Sequence, residues 1–221
     1  MTHRATPIAA TGQSDTRIRR RNVWLALIAA MTGAGGLLLS LDGQPSASLD
    51  GMALVASAPV APSIEAIFNT RQPVSSDRWD GIVIYDSGSM QGSAATLAAQ
   101  SKARNLDGLG YHFVIGNGAG QDDGELHVGY RWLTQAPGAH DAGPNQDRYN
   151  RRYIGVCLIG DGDRRPFTDA QIHRLVELVR GLQSRLNLPD SSILLARDIS
   201  STTSPGRYFP EAAVHTSLAG M

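Results

Sequence analysis

The stretch NRRYIGVCLIGDGD, residues 150–163, contains the strongest predicted strand of the chain and decides the fold class. Its centre is an apolar run, which is typical of a buried strand. The segment TDAQIHRLVELVRGLQSRLN, residues 168–187, follows with apolar residues at helical spacing, and Thr168 is placed to cap the helix. A second apolar run, SSILLAR at residues 191–197, comes next and predicts the last buried strand. This order of strand, helix and strand predicts an α/β fold.

Toward the N-terminus, further predicted strands alternate with a helix. The segment WDGIVIYDSGS, residues 79–89, holds a short apolar run beside a glycine and predicts a buried strand. Good helix formers and a capping serine predict a helix in residues 92–105. LGYHFVIGNG at residues 109–118 and GELHVGYRW at residues 124–132 predict two more strands. We therefore expect a mixed central β-sheet flanked by helices.

The composition argues against two classes of site. The chain has 20 Lys and Arg against 20 Asp and Glu, for a formal net charge of zero. Proteins that bind nucleic acids normally carry a strong basic surface, so we expect no nucleic-acid partner. The single cysteine, Cys157, rules out an internal disulfide and a zinc cluster made of cysteines alone.

The N-terminal part of the chain predicts a membrane anchor. Residues 23–41 carry no charge and have about the length that crosses a ~30 Å hydrocarbon core as a helix. Arginines within residues 1–22 predict a cytoplasmic basic tail, which places the rest of the chain outside the membrane. A cleaved signal peptide is the alternative. Residues 42–73 are rich in Ala, Pro and Ser and predict a linker, so residues 74–221 form the predicted extracytoplasmic domain of a single-pass membrane protein.

Several segments of this domain together resemble one protein family. The segments GLGYHFVIGNG, GAH, YNRRYIGVCLIGD and RDISSTTSPGRYFP occur with the long amphipathic helix in a characteristic order. That order is similar to the one in peptidoglycan recognition proteins and type 2 N-acetylmuramoyl-L-alanine amidases. Each motif alone is weak, but their order and spacing over roughly residues 75–212 are specific. The resemblance implies the amidase/peptidoglycan-recognition fold.

The resemblance also implies a chemistry. Such amidases cut the amide between the lactyl group of muramic acid and the L-alanine of the stem peptide. They hold a zinc ion with two histidines and a cysteine or aspartate. Bound zinc lowers the pKa of its water to about 7 and polarises the scissile carbonyl. A tyrosine and a lysine or threonine help to stabilise the oxyanion.

The three positions that match the zinc ligands of the family hold other residues. They are Tyr85 in IVIYDSG, Ala196 in LLARD and Ser204 in TSPG. Alanine cannot bind a metal, and neutral serine and tyrosine hydroxyls are poor zinc ligands. The neighbouring Asp86 is expected to point away from the site, because successive strand side chains face opposite ways. We therefore expect no zinc and no other cofactor, and a pseudoenzyme rather than a hydrolase.

The supporting positions of the family are better matched. Tyr111 matches the catalytic tyrosine and Thr202 the lysine-or-threonine position, so their catalytic roles would be vestigial here. His140 and Asn150 match residues that line the substrate cleft. Tyr85 either fills vacated space or contacts a ligand. Packing or turn formation is the alternative role for Tyr111, Asn150 and Thr202. Expected substrate-binding residues are Tyr85, Tyr111, His140, Asn150 and Thr202.

The remaining histidines and the cysteine are interpreted as structural. His112 follows Tyr111 in the strand and faces away from it, so we expect a hydrogen-bonded structural histidine. Cys157 lies in the middle of an apolar run and is expected in the core. Surface or packing positions are expected for His127, His173 and His215.

Three functions remain open at this point. The first, which we favour, is a membrane-tethered module that binds peptidoglycan stem peptides or muropeptides without hydrolysing them. The second is an active N-acetylmuramoyl-L-alanine amidase that uses an unusual metal set or a metal-free route. The third is an interaction module for another envelope protein. The sequence carries no clear signal of the oligomeric state.

Overall fold

A five-stranded mixed β-sheet lies at the centre of residues 63–219, the part of the chain that the computed structural model describes. The order of its strands is β3-β2-β4-β1-β5. Strand β1 is parallel to β4 and β5, β2 is parallel to β4, and only β3 runs antiparallel to its neighbour β2. The strands are β1 (Gly81–Asp86), β2 (Phe113–Ile115), β3 (Leu126–Val128), β4 (Tyr153–Leu158) and β5 (Ile193–Leu195).

Helices surround this sheet, as the sequence predicts for a mixed α/β fold. They are α1 (Ala94–Ala103), α2 (Tyr130–Leu133), α3 (Gln146–Arg152), α4 (Asp169–Leu186), α5 (Ala196–Ile199) and α6 (Glu211–Ala219). Short 3-10 turns occur at Ile64–Phe68, Ser76–Arg78 and Asp190–Ser192.

Two predicted strands run into helices in the structure. The strand predicted for residues 124–132 is limited to Leu126–Val128, because the chain turns at Gly129, whose carbonyl accepts the Trp132 amide, and Tyr130–Leu133 form helix α2.

The strand predicted for residues 191–197 ends at Leu195, and Ala196 begins the short helix α5. The carboxylate of Asp198 accepts a hydrogen bond from the Leu195 backbone amide at 2.8 Å, which satisfies a donor at the helix start. Ala196 and Arg197 therefore belong to a helical turn.

Helix α4 covers one face of the sheet. Its N-terminus is closed by a capping box, in which the Gln171 amide donates to the Thr168 hydroxyl and the Thr168 amide donates to the Gln171 side chain. Asn187 ends the helix in the left-handed conformation with φ of 57°. The apolar side of the helix joins the largest core cluster through Leu175, Leu178, Val179 and Leu182, together with Ile82, Ile84, Phe113, Val156 and Leu158 of the sheet.

The opposite face of the sheet carries the residues that the sequence marks as functional. In the parallel register of β1 and β4, Tyr85 lies beside Cys157 and Val83 beside Gly155. Because strand side chains alternate, these positions face away from α4. A separate buried cluster forms there from Val83, Tyr85, Tyr153 and Ala196.

The predicted membrane anchor at residues 23–41 lies outside the described residues, as do the basic tail and most of the linker. Within residues 63–219 no helix combines the length and the apolar character needed to cross a bilayer.

Candidate functional site

A cleft of about 570 Å³ opens at the carboxyl end of β1. Open α/β sheets commonly bind ligands beyond the carboxyl ends of their strands. The cleft is lined by residues 85–88 and 140–144 and by Tyr111, together with Ser200, Ser201, Thr202 and Ser204. Four of the five predicted substrate-binding residues, Tyr85, Tyr111, His140 and Thr202, therefore meet in one cleft.

Tyr85 and His140 form a hydrogen-bonded pair in this cleft. The Tyr85 hydroxyl lies 3.0 Å from Nδ1 of His140, and Nε2 of His140 lies 3.1 Å from the Tyr153 carbonyl oxygen. A carbonyl only accepts hydrogen bonds, so Nε2 carries the ring proton and Nδ1 of the neutral imidazole accepts from Tyr85. Both ring nitrogens of His140 are thus occupied by the protein itself.

Burial keeps both members of this pair neutral. Burial lowers the pKa of His140 to about 4, because the charged imidazolium would lose its hydration. Burial also raises the pKa of Tyr85 far above its ordinary value, and the nearby Asp141 carboxylate adds to that shift. At neutral pH the pair is therefore a phenol and an uncharged imidazole.

Tyr111 completes an aromatic group with this pair. Its ring centroid lies 5.5 Å from that of Tyr85 in an edge-on arrangement, and it stacks with His140 at 6.4 Å and 14°. Burial raises the pKa of the Tyr111 hydroxyl, and the neighbouring Cys157 thiol contributes to the shift. Because Tyr111 is only partly buried and lines the cleft, its ring presents an apolar surface to a ligand.

Two glycines make room for the His140 ring. A Cβ at position 155 would lie 2.4 Å from Cδ2 of His140, and one at position 138 would lie 2.3 Å from the same atom. Neither contact is sterically possible, so the ring can rest against β4 only because Gly155 lacks a side chain.

Asn150 holds the loop that carries His140. Its Oδ1 accepts hydrogen bonds from the backbone amides of His140 and Asp141, both at 2.9 Å. Its Nδ2 donates to the Asp141 carbonyl at 2.9 Å. The Asn150 side chain, which projects from helix α3, thus holds this loop in position. The sequence did not predict helix α3. A direct contact between Asn150 and substrate stays a prediction.

The positions matched to zinc ligands lie close together. Strand β5 pairs with β1 so that Leu195 is opposite Ile84, which brings Ala196 beside Tyr85. Ala196 is fully buried in the cluster around Tyr85. The Arg197 amide donates to the Ser204 carbonyl at 2.9 Å, which brings Ser204 to the same end of β1.

The segment that follows α5 forms one wall of the cleft. The Ser204 hydroxyl accepts a hydrogen bond from the Asp86 amide at 2.9 Å, and the exposed Thr202 hydroxyl accepts one from the Ser204 amide at 3.2 Å. The sequence placed Asp86 away from the site, yet it lies at the cleft rim, where its carboxylate accepts the Gly162 amide at 3.0 Å. Asp86 is the last residue of β1, and at the end of a strand a side chain can reach the rim of the cleft from either face of the sheet.

The histidines outside the cleft lie where the sequence predicts them. His112 is fully buried, and its Nδ1 accepts from the Gly155 amide at 3.0 Å while its Nε2 bonds the Ala136 carbonyl at 3.1 Å. Cys157 is fully buried in the core, and burial raises the pKa of its thiol. The three remaining histidines of the described chain, His127, His173 and His215, are exposed.

Sequence reasoning missed Asp141 and Ser200. Asp141 is only 7% exposed and lines the cleft, and the Ser200 hydroxyl donates to its Oδ1. A signal was present, because Asp141 directly follows His140 in GAHD, and a carboxylate beside a predicted cleft residue is a candidate binding group.

A larger groove of about 680 Å³ lies between α4 and α6. Polar and apolar residues of the two helices line it together with Phe167, Tyr208 and two prolines. We place the functional site in the smaller cleft, because four of the predicted substrate-binding residues meet there with further polar side chains from several loops.

The sequence of the folded part decides the family. Residues 75–207 match the family described as N-acetylmuramoyl-L-alanine amidase (Amidase_2), which is more than half of the chain. The chain belongs to this family. No curated protein matches this amidase-family chain significantly.

Solved structures of amidases and peptidoglycan recognition proteins (PGRPs) share the fold of this amidase-family chain. An endolysin N-acetylmuramoyl-L-alanine amidase, LysCS from Clostridium intestinale URNW, is 25% identical with a TM-score of 0.55, over 66% of this chain and 88% of that chain. Drosophila PGRP-LB is 22% identical with a TM-score of 0.50, over 62% and 80%. The ectodomain complex of PGRP-LCa and PGRP-LCx with bound tracheal cytotoxin gives 23% identity and a TM-score of 0.50, over 61% and 80%.

A zinc ion does not fit the donor set at the matched positions of this amidase-family chain. A protein zinc site needs at least three nitrogen, sulfur or carboxylate ligands. Ala196 offers no donor atom, the Tyr85 hydroxyl is neutral and bonded to His140, and Ser204 offers only a neutral hydroxyl. Within residues 63–219 no three His, Cys, Asp or Glu side chains are grouped as metal ligands.

Proposed function

We propose that this amidase-family chain binds peptidoglycan fragments in its cleft without hydrolysing them, and that residues 23–41 tether it to a membrane with the folded domain outside. One observation carries the proposal. The Tyr85 hydroxyl is bonded to His140 and lies beside the buried Ala196, where the family resemblance implies metal ligands. The cleft is nevertheless open and keeps its aromatic and hydroxyl lining.

The lining supports a muropeptide as the ligand. Tyr111 offers a ring face, while Ser201, Thr202 and Ser204 offer hydroxyl groups that can donate to or accept from amides and sugar hydroxyls. Aromatic faces beside convergent polar groups are typical of small-molecule sites. The related PGRP-LCa and PGRP-LCx complex was solved with tracheal cytotoxin bound, which supports a peptidoglycan-derived ligand for this chain.

The protonation states of the side chains in the cleft argue against hydrolysis. His140 uses both ring nitrogens within the protein, and its pKa of about 4 makes it a weak base at neutral pH. Tyr85 and Tyr111 have raised pKa values and stay protonated. General acid–base catalysis alone contributes typically about 10²–10⁴-fold, which is little for amide hydrolysis without a Lewis acid.

A combined binding and cleavage experiment tests the proposal. The full-length chain is titrated calorimetrically with a disaccharide muropeptide, its metal content is measured, and release of stem peptide is followed. We expect binding, no bound zinc and no released peptide. The matched comparison is the triple variant Tyr85→His, Ala196→His, Ser204→Cys, which restores the ligand types of the family. Cleavage by the unmodified chain, or no binding at millimolar muropeptide, would refute the proposal.

An active amidase is the second candidate. The 25% identity to the LysCS endolysin amidase favours it, since that similarity extends over 88% of the enzyme. The same cleavage assay separates the two candidates, because only an active amidase releases stem peptide before the three substitutions are made.

A further inference from the structure

Asp141 is a carboxylate whose hydrogen-bonding capacity the protein does not fill. The residue is 7% exposed. Its Oδ1 accepts the Ser200 hydroxyl, while its Oδ2 is buried and has no hydrogen-bond partner among residues 63–219. Leaving a buried acceptor unsatisfied costs about 1–3 kcal/mol, and more when the group is charged. A donor that arrives with a ligand would satisfy this group.

The position of Asp141 places this group at a junction in the cleft. A second compartment of about 440 Å³ continues from the cleft toward helix α1 and shares Tyr111, His140 and Asp141 with it. Gln100, Ser101 and Arg104 of the α1 region line the outer compartment. A ligand that extends through both compartments therefore passes Asp141.

The charged side chains along this path differ in sign between the central cleft and the far side of the outer compartment. Asp86 and Asp141 are the charged side chains that line the central cleft, and neither Lys nor Arg lines it. The Asp86 carboxylate already accepts the Gly162 amide, so Asp141 has the greater unused capacity. In the outer compartment Arg104 is exposed and forms no ion pair within the described residues.

We propose that Asp141 binds an alkylammonium group of a peptide ligand, with a carboxylate of the same ligand directed toward Arg104. This inference rests on the proposed function, because it takes the ligand to be a peptide of peptidoglycan. An ammonium N–H replaces the Ser200 hydroxyl as the partner of the carboxylate and also satisfies Oδ2. The pairing of two opposite charges favours an ammonium donor over a neutral amide N–H. The cleft thus prefers peptides with a free amine.

Two amines could supply this group, namely the N-terminus of a free stem peptide and the side chain of its diamino acid. The probe is the tripeptide L-Ala-γ-D-Glu-L-Lys, which carries both amines. It is titrated calorimetrically into the full-length chain beside three derivatives, acetylated at the α-amine, at the ε-amine or at both. We expect that acetylating the recognised amine weakens binding about tenfold to a hundredfold, and that acetylating the other changes it little.

Substitutions assign the effect to Asp141. We expect Asp141→Asn to weaken binding of the unmodified tripeptide about tenfold to a hundredfold. The matched control is Asp147→Asn, which removes a carboxylate from an exposed position of α3 outside the cleft lining. Ser200→Ala removes the competing hydroxyl and is expected to tighten binding about threefold to tenfold.

The outcomes separate this inference from the proposed function. If neither the tripeptide nor the disaccharide muropeptide binds, both are wrong. If the tripeptide binds and acetylation of both amines leaves its affinity unchanged, or if the muropeptide binds and the tripeptide does not, only the role of an ammonium group is wrong. Equal affinities for Asp141→Asn and Asp147→Asn would likewise overturn the assignment to Asp141. The acetylation series uses the unmodified chain, so it decides the question even where a variant fails to fold.

Discussion

The Tyr85 hydroxyl donates a hydrogen bond to Nδ1 of His140 over 3.0 Å, although 55 residues separate the two in the sequence. This bond joins strand β1 to the loop that enters helix α3. It occupies the side chain that lies where the family resemblance implies the first zinc ligand. The cleft therefore has an organised floor without a metal.

Removing this bond should destabilise the folded domain. In Tyr85→Phe the ring stays but Nδ1 of His140 loses its donor in a largely buried site. We expect the free energy of unfolding to fall by about 1–3 kcal/mol, measured by urea unfolding. The control Tyr208→Phe removes a hydroxyl from a side chain that is 43% exposed, and should change stability by less than about 0.5 kcal/mol. Equal stabilities for the two variants would contradict the role of the bond.

The neutral histidines predict that stability falls in mild acid. Burial lowers the pKa of His112 and lowers that of His140 to about 4, whereas an unfolded histidine titrates near 6.5. Below pH 6.5 the unfolded chain thus binds more protons than the folded one. Each histidine then removes about 1.4 kcal/mol per pH unit, for His140 down to about pH 4.

The measurement is urea unfolding at pH 7.5, 6.5, 5.5 and 5.0. Stability should be nearly constant between the first two values and should decrease between the last three. The exposed His173 provides a control, since His173→Gln should leave the slope unchanged. A stability that stays flat down to pH 5.0 would show that the imidazoles are not held neutral.

Gly155 should tolerate a side chain only when the His140 ring is absent. Gly155→Ala places a Cβ 2.4 Å from the ring, and we expect about 1–3 kcal/mol of destabilisation from overpacking. In a His140→Ala background the same substitution should cost much less. Urea unfolding of the two single variants and the double variant gives the coupling energy. Additive effects would mean that the ring does not rest on β4.

Asn150 should act on the cleft through the loop that it holds. Asn150→Ala removes three hydrogen bonds to residues 140 and 141, and we expect a loss of about 1–3 kcal/mol in unfolding free energy. Muropeptide affinity, measured by calorimetry under conditions where the variant is folded, should fall at the same time. A variant that loses affinity but keeps full stability would instead make Asn150 a direct ligand contact.

The sequence predicted the central elements because their patterns are local. The apolar runs of β1 and β4 and the amphipathic spacing of α4 each depend on a few neighbouring residues. Helix α3, with the sequence QDRYNRR, was not predicted because it contains no buried residue and hence no apolar periodicity. Helix α6 was also missed, since only Val214 and Leu218 of its residues are buried.

The sequence predicted most residues of the site but not the hydrogen bonds that join them. The family resemblance drew attention to Tyr85, Tyr111 and His140, and the structure brings all three together. The hydrogen bond between Tyr85 and His140 depends on long-range packing, which no short pattern encodes. The same holds for Asp141, which accepts a hydrogen bond from Ser200, 59 residues away in the sequence.

The buried Cys157 gives this chain a native reporter of opening. It is the only cysteine in all 221 residues, and it lies in β4 with no exposed surface and with a thiol pKa that burial raises. A thiol reagent can reach it only when the sheet or the loops above it separate. The rate of labelling therefore measures how often the cleft side of the domain opens, and slower labelling in the presence of muropeptide would reveal binding without any engineered probe.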